Sequence, residues 1–319
     1  MPLDLLEGAG IDYAINPLGR KLKEGDLAAM IKDVDVLIAG TEPITAGVLG
    51  EANKLKLIAR VGIGLDSVDL LAAKQHGIAV TYTPDAPSPA VAEFTIGLIL
   101  NSLRSVHLSN WELHKGEWQR YFGRRLSSCV VGIIGAGRVG SRVVRHLASF
   151  DCRKVMVNDL KHSIKLDSGV RWEWQDKEVI YREADVISLH VPLTMLTRNM
   201  ISRRELEMMK PDAILINTAR GGIVNEKALY DVIKEGHLAA VGIDTFEHEP
   251  YTGPLASVNQ CLLTAHMGSM SKDCRAQMEI EATREAVRFL AGEPLAWEVP
   301  EEEYEHQYLA TGIMEGANG

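Results

Sequence analysis

Short apolar runs rich in Val, Ile, Leu and Ala alternate along the chain with stretches whose apolar residues recur every three or four positions. The runs predict strands at Ile11–Asn16, Val34–Ala39, Leu57–Val61 and Ile78–Tyr82. A second series follows at Val130–Ile134, Lys154–Asn158, Val186–His190, Ala213–Asn217, Ala240–Ile243 and Cys261–Thr264. Most of these are continuously apolar, the pattern of strands covered by helices on both faces. Between two of them, Val139, Val143, Leu147 and Phe150 fall on one face of a helix over Val139–Phe150. Strand–helix alternation predicts an α/β chain with two doubly wound parallel sheets and right-handed crossovers.

The two series are separated by Glu93–Leu126, a segment of helical character carrying Trp111 and Trp118, which places a domain boundary near residue 100. The pattern in Cys274–Ala291 predicts one more helix after the last strand. Beyond it, Glu298–Gly319 holds six Glu and no Lys or Arg, which reads as a mobile acidic tail. A length of 319 residues suits two cores better than one. With 34 basic and 43 acidic side chains the net charge is −9, which argues against a nucleic-acid or anionic-lipid surface. No apolar run approaches the roughly 18–20 residues of a membrane helix, and the start resembles no signal peptide. Cys129, Cys152, Cys261 and Cys274 are scattered without a C-x-x-C pair, so neither a disulfide framework nor a metal site is expected. The sum is a soluble, cytoplasmic, two-domain protein.

Gly135, Gly137 and Gly140 form G-x-G-x-x-G between a predicted strand and a predicted helix. The first glycine permits a tight turn, the second lets the backbone approach a pyrophosphate, and the third allows helix and strand to pack closely. The helix N-terminus then meets the diphosphate charge. Asp159 ends the next strand, 19 residues after Gly140, where a carboxylate accepts both ribose hydroxyls of NAD and repels the extra phosphate of NADP. Lys161 and His162 close by soften that preference. This is a Rossmann-like dinucleotide site for NAD.

Ligands of such sheets lie beyond the carboxyl ends of the strands. The loops there carry Thr218-Ala219-Arg220-Gly221-Gly222, then Asp244 through Glu249-Pro250, then His266-Met267-Gly268. These side chains suit hydride transfer on a 2-hydroxy acid. Arg220 offers a planar fork to a carboxylate and to a developing oxyanion. His266 takes or returns the hydroxyl proton. Glu249 orients the imidazole, Asp244 serves the nicotinamide end of the cofactor, and His190 with Val191 lines the adenosine site. His248 reads as exposed.

Taken together, Ala59–Asp66, Lys115–Trp118, Gly135–Gly140, Asn217–Gly222, Asp244–Pro250 and His266–Gly268 resemble the D-isomer-specific 2-hydroxyacid dehydrogenases, and within them the phosphoglycerate dehydrogenases. The resemblance spans nearly all of residues 5–295. It implies a catalytic set of Arg220, Glu249 and His266. It implies a cofactor domain (100–285) inserted in a discontinuous, flavodoxin-like substrate domain (1–99 and 286–319), and a homodimer formed largely through the cofactor domain and the Glu93–Leu126 arm. Thr83, Arg138, Val139, Pro192, Thr218, Ala219 and Gly268 would line the cofactor. Backbone N–H groups of Val61 and Gly62 would hold the substrate carboxylate. Arg60 would add a second positive charge for a small anionic substrate such as 3-phosphoglycerate or a phosphonate analogue.

Two departures qualify this. No counterpart of the family's first, central strand is present, so either the start is misassigned or the sheet is built with a gap. Asp85 and Pro87 stand where Gly and Asn are more usual, and Pro87 cannot donate a backbone hydrogen bond. A dehydrogenase for a plain hydroxy acid such as D-lactate, and a non-catalytic NAD sensor, remain the competing expectations.

Overall fold

The computed structural model describes residues 1–161, 169 and 171–316, with side chains through Leu309; His162 lies outside them. The chain divides into two compact units, Met1–Pro87 with Met270–Gly319, and Ser88–Ser269. Among the described residues no helix is long and apolar enough to cross a membrane.

The first unit holds a parallel sheet of β1 (Val36–Ala39), β2 (Leu57–Arg60) and β3 (Ala79–Thr81), in that order. Helices α1 (Pro2–Gly8), α2 (Glu24–Met30), α3 (Ala46–Gly50) and α4 (Leu70–Gln75) belong to it as well. Its core gathers Leu27, Ile31, Ile44, Leu49, Ile58 and Leu70, all 2% exposed or less. The predicted strand at Ile11–Asn16 does not form. The segment bonds to no strand and Ile15 is 62% exposed, since an alternating sequence becomes a strand only where cross-strand and same-face packing support it.

The second unit begins with helices α5 (Ser88–Arg104) and α6 (Val106–His114). Seven parallel strands follow: β4 (Val130–Ile134), β5 (Lys154–Asn158), β6 (Trp172–Trp174), β7 (Val186–Leu189), β8 (Ile214–Asn217), β9 (Ala240–Ile243) and β10 (Cys261–Leu263). Helices α7 (Arg138–Leu147), α8 (Lys177–Glu183), α9 (Arg203–Met208) and α10 (Glu226–Lys234) connect them. The spatial order β10-β9-β8-β7-β4-β5-β6 reverses between β4 and β7, the switch point at which such sheets bind ligands.

Strand side chains alternate faces, and here both faces are apolar. Ile134, Met156, Ile187 and Leu215 pack under α8, α9 and α10, whereas Val131, Ile133, Val155 and Ile216 pack under α5 and α7. The helix predicted to reach Phe150 ends at Leu147 and continues as a 3₁₀ turn. Strand β6 was not expected: Trp-Glu-Trp lies at the sheet edge with both indoles partly exposed, so no apolar run marks it.

The units also part elsewhere than near residues 99 and 285. Helix α5 packs on α7, β8 and β9, which brings everything from Ser88 into the second unit. The last two helices, α11 (Lys272–Leu290) and α12 (Glu301–Gly316), fall in the first, where α11 packs on α1, β1 and β2. The acidic segment expected to be mobile is thus a helix for most of its length, and Tyr304 on its inner face packs on the first unit's core.

Candidate active site

The glycine loop follows β4. Gly135 has φ +97°, donates to the Asn158 carbonyl at 2.8 Å, and lies so near the next strand end that a Cβ would sit 2.6 Å from the His190 carbonyl. A Cβ on Gly140 would strike the Gly135 carbonyl oxygen at 1.9 Å. Around Gly137 the opposite holds: a Cβ there would meet nothing within 4 Å. Gly137 caps α7 without a side-chain bond, so the first N–H groups of the helix, at Arg138 and Val139 beside the open Gly137, have no partner within it. A diphosphate fits that arrangement of donors and positive helix end.

Asp159 is fixed close by. One carboxylate oxygen accepts from Ala136 N–H at 2.7 Å and the other from Lys161 N–H at 2.9 Å, which ties the end of β5 to the glycine loop. His190 donates its backbone N–H to the Ile134 carbonyl, and its Nε2 lies 2.9 Å from Ser188 Oγ. Burial pushes its imidazole pKa down to about 3, so the ring is neutral. Val191 is half-buried and Pro192 exposed. Thr218 is buried, its hydroxyl 2.8 Å from that of Thr95 on α5, a partner that no motif announced.

Three strand-end loops carry the remaining candidates. After β8, Asn217 accepts from Ala219 N–H and donates to the Arg220 carbonyl, which fixes the turn at Arg220; the Arg220 guanidinium bonds the Ala219 carbonyl at 2.8 Å. Gly221 lies against the loop after β9, where a Cβ would come within 2.0 Å of the Phe246 carbonyl. In that second loop Glu249 accepts from Phe246 N–H at 3.1 Å. After β10, His266 Nδ1 lies 3.0 and 3.1 Å from the two Glu249 oxygens. His248 is exposed. The structure therefore brings together Glu249 and His266, and through Gly221 packs the Arg220 turn onto the Glu249 loop.

Asp244, 1% exposed, is the hidden support of that arrangement. Its carboxylate accepts from Thr264 Oγ1 (2.6 Å), Met267 N–H (2.7 Å) and Gly268 N–H (2.9 Å), and its carbonyl accepts from His266 N–H. The loop so held keeps His266 at φ +51°, a left-handed conformation uncommon outside glycine. Sequence reasoning assigned Asp244 to the nicotinamide; its hydrogen bonds go to the histidine loop.

In the first unit the expected anion loop needs a correction. Val61 N–H donates to the Ala39 carbonyl at 2.8 Å, extending the β1–β2 ladder, and Gly62 N–H donates to Thr83 Oγ1 at 2.8 Å. Neither amide is left for a ligand. The register that pairs Ala39 with Arg60 decides this, and no motif displays it. The next amides, those of Ile63 and Gly64, donate no hydrogen bond among the described residues, and both residues are partly exposed. Arg60 is 6% exposed, its Nη1 donating to the carbonyls of Val61 (2.6 Å) and Ala39 (3.4 Å).

The family model for the D-isomer specific 2-hydroxyacid dehydrogenase NAD binding domain matches residues 96–268. The chain belongs to that family. This 2-hydroxyacid dehydrogenase is 36% identical to a hydroxypyruvate reductase of Thermotoga maritima, with 82% of the chain and 86% of the relative covered. It is 35% identical to a glyoxylate reductase of Thermofilum pendens, covering 84% of this chain and 82% of that one. Against a D-3-phosphoglycerate dehydrogenase of Methanocaldococcus jannaschii it is 37% identical over 85% of its length, but spans only 53% of that longer relative. Among solved structures, a protein of Thermus thermophilus superposes with TM-score 0.85 at 31% identity, covering 94% of this chain and 96% of that one. The dehydrogenase's second unit is thus an NAD-binding domain on a two-domain Rossmann-like fold.

Proposed function

We propose that the protein interconverts a short 2-keto acid and its D-2-hydroxy acid, with NAD(H) as the redox partner. The observation that carries this reading is the Glu249–His266 pair, held at 3.0 Å at the same strand ends that present the glycine loop. Glu249 on Nδ1 leaves Nε2 as the nitrogen that exchanges a proton with substrate. Bound NADH supplies the hydride. In reduction His266 would deliver a proton to the keto oxygen as the keto carbon accepts that hydride, and in oxidation it would take the hydroxyl proton back. Arg220 stabilises the charge growing on that oxygen and pairs with the carboxylate. Asp159, with the open amides of α7, fits the adenosine ribose and diphosphate, and Ile63 and Gly64 replace Val61 and Gly62 as the anion-binding amides.

The substrate ranking from sequence put phosphorylated acids first. We invert it. Hydroxypyruvate and glyoxylate reductases stand among the relatives, and the Arg60 guanidinium is engaged by two carbonyls at the base of its loop. A phosphorylated tail is the second reading, favoured by the presence of a buried cation there. We also propose a homodimer through the second unit, where α6 exposes Val106, Trp111 and Leu113; sedimentation measures it.

The test is NADH consumption with purified protein offered glyoxylate, hydroxypyruvate, pyruvate and 3-phosphohydroxypyruvate. Turnover of the first two above the last supports the proposal, and turnover of the last alone restores the phosphorylated reading. His266→Ala is expected to abolish turnover with NADH affinity unchanged. Normal turnover in that variant overturns the mechanism, and silence of the parent chain across the panel leaves a sensing role.

A further inference from the structure

The C-terminal segment, which lies beyond the 96–268 stretch matched by the family model, is wired into the first unit at several points. After α11 the chain runs antiparallel beside β3. Val299 N–H donates to the Val80 carbonyl, Tyr82 N–H donates to the Trp297 carbonyl, and Thr81 bridges Glu298. The turn before it is fixed by Glu285, 2% exposed, whose carboxylate accepts from Ala296 and Trp297 N–H at 2.8 and 3.1 Å. Helix α12 then lies on α4: Lys74 bonds Glu301 at 2.5 Å and sits over the Tyr304 ring.

The contact with a chemical consequence is made by Gln307. Its Oε1 accepts from Leu70 N–H (2.6 Å) and Leu71 N–H (3.2 Å), and its Nε2 donates to the Val68 carbonyl at 2.9 Å. A helix begins with four N–H groups that have no partner within it, and a neighbouring side chain ordinarily serves them. At α4 the local cap, Asp69, serves only Ala72. The two preceding amides are satisfied from 237 and 236 residues away.

Val68 and Leu70 close the loop that starts at Gly62. At its near end Gly62 and Thr83 exchange two hydrogen bonds, Gly62 N–H to Thr83 Oγ1 and Thr83 N–H to the Gly62 carbonyl. At its far end Ile44 pairs with Ser67 and Asp69, and Gln307 grips the carbonyl and amides on either side. Between the two clamps lie Ile63 and Gly64. We infer that Gln307 is a positioning residue for this anion-binding loop: from the C-terminal helix it holds the loop's far end in the shape that presents the Ile63 and Gly64 amides to the substrate carboxylate. The inference rests on the reading of that loop as substrate-binding.

Gln307→Leu keeps the volume and removes all three hydrogen bonds. Gln307→Glu keeps the two that are accepted and adds a negative charge beside the α4 amides, but sets a carboxylate oxygen against the Val68 carbonyl in place of the donor. In the full chain, the leucine variant is expected to raise KM for the keto acid about tenfold, because binding must now order a loosened loop. kcat and NADH affinity stay at parental values, and the glutamate variant recovers part of the loss. An unchanged keto-acid KM in Gln307→Leu overturns the inference. So does a rise in KM accompanied by parallel losses of kcat, NADH affinity and thermal midpoint, which marks general destabilisation. Amide hydrogen exchange across Gly62–Val68 is independent of turnover. It should quicken in Gln307→Leu while the second unit's amides do not change, and equal exchange overturns the proposal even if the parent chain turns over no keto acid.

Discussion

Replacing Gly221 with Ala adds one methyl group where the structure has no room for it. The new Cβ would lie 2.0 Å from both the carbonyl carbon and oxygen of Phe246, and 2.4 Å from the backbone nitrogen of Glu247. Carbon atoms in good contact stand about 3.5–4.0 Å apart, so the two loops must separate by roughly 1.5 Å. Every atom met is backbone, and no rotamer change relieves the overlap. The loop that moves carries Glu249, anchored to Phe246 N–H, and Glu249 is what orients His266. Misplacing catalytic groups by about 1 Å costs on the order of a hundredfold in rate. The overpacking itself should cost about 1–3 kcal/mol of stability. The assay is kcat for NADH-dependent reduction of the best keto acid, with NADH binding and thermal unfolding measured on the same sample. Expected are a fall in kcat of about a hundredfold, unchanged NADH affinity and a cooperative transition at lower temperature. Gly50→Ala, where a Cβ meets nothing within 4 Å, is the control. A kcat within about threefold of the parent in folded Gly221→Ala would show that the Arg220 and Glu249 loops do not need this contact.

Other outcomes follow from charges and burial. Burial works against ionisation of Asp185, but Val130 N–H, Lys210 and Arg124 outweigh it and hold its carboxyl below the ordinary range. Its stabilisation is present above the unfolded pKa of about 3.9 and is lost as pH falls through the folded value. Asp185→Asn should cost about 2 kcal/mol in urea unfolding at neutral pH and flatten the acid limb; an unaltered acid limb refutes this. His190, with its pKa near 3, binds its proton more readily in the unfolded chain, so it makes stability fall as pH drops below about 6.5. By NMR one of the ten histidines should stay neutral to at least about pH 5, and His190→Gln should remove that signal. Asp159→Ala frees the Ala136 and Lys161 amides and should narrow the preference for NADH over NADPH by about tenfold, read as a ratio of kcat/KM values. An unchanged ratio removes Asp159 from the ribose site.

Much was legible in the chain itself. The second series of strands is continuous in apolar residues because both sheet faces are buried, and that demand is written locally. The glycine spacing, the acid after β5 and the Arg, Glu and His after β8, β9 and β10 are likewise local, because a parallel sheet sends the loops after its strands to one edge. What only the tertiary structure decided concerns partners distant in sequence. Ile11–Asn16 has a strand's alternation yet bonds to no strand, while Trp172–Trp174 lacks the pattern and pairs with β5. Val61 and Gly62 have the composition of an anion loop, but the β1–β2 register and Thr83 take their amides. Asp244 reads from the sequence as a cofactor residue, and that its carboxylate also accepts the amides of Met267 and Gly268 depends on how the loop after β10 folds over it. The acidic C-terminus reads as solvated, yet Gln307 finds amides at α4 that no nearby residue serves. Periodicity and spacing record which side chains are buried and where the chain turns. Which donor meets which acceptor across 20 or 237 residues depends on register and packing, and those exist only once the chain has folded.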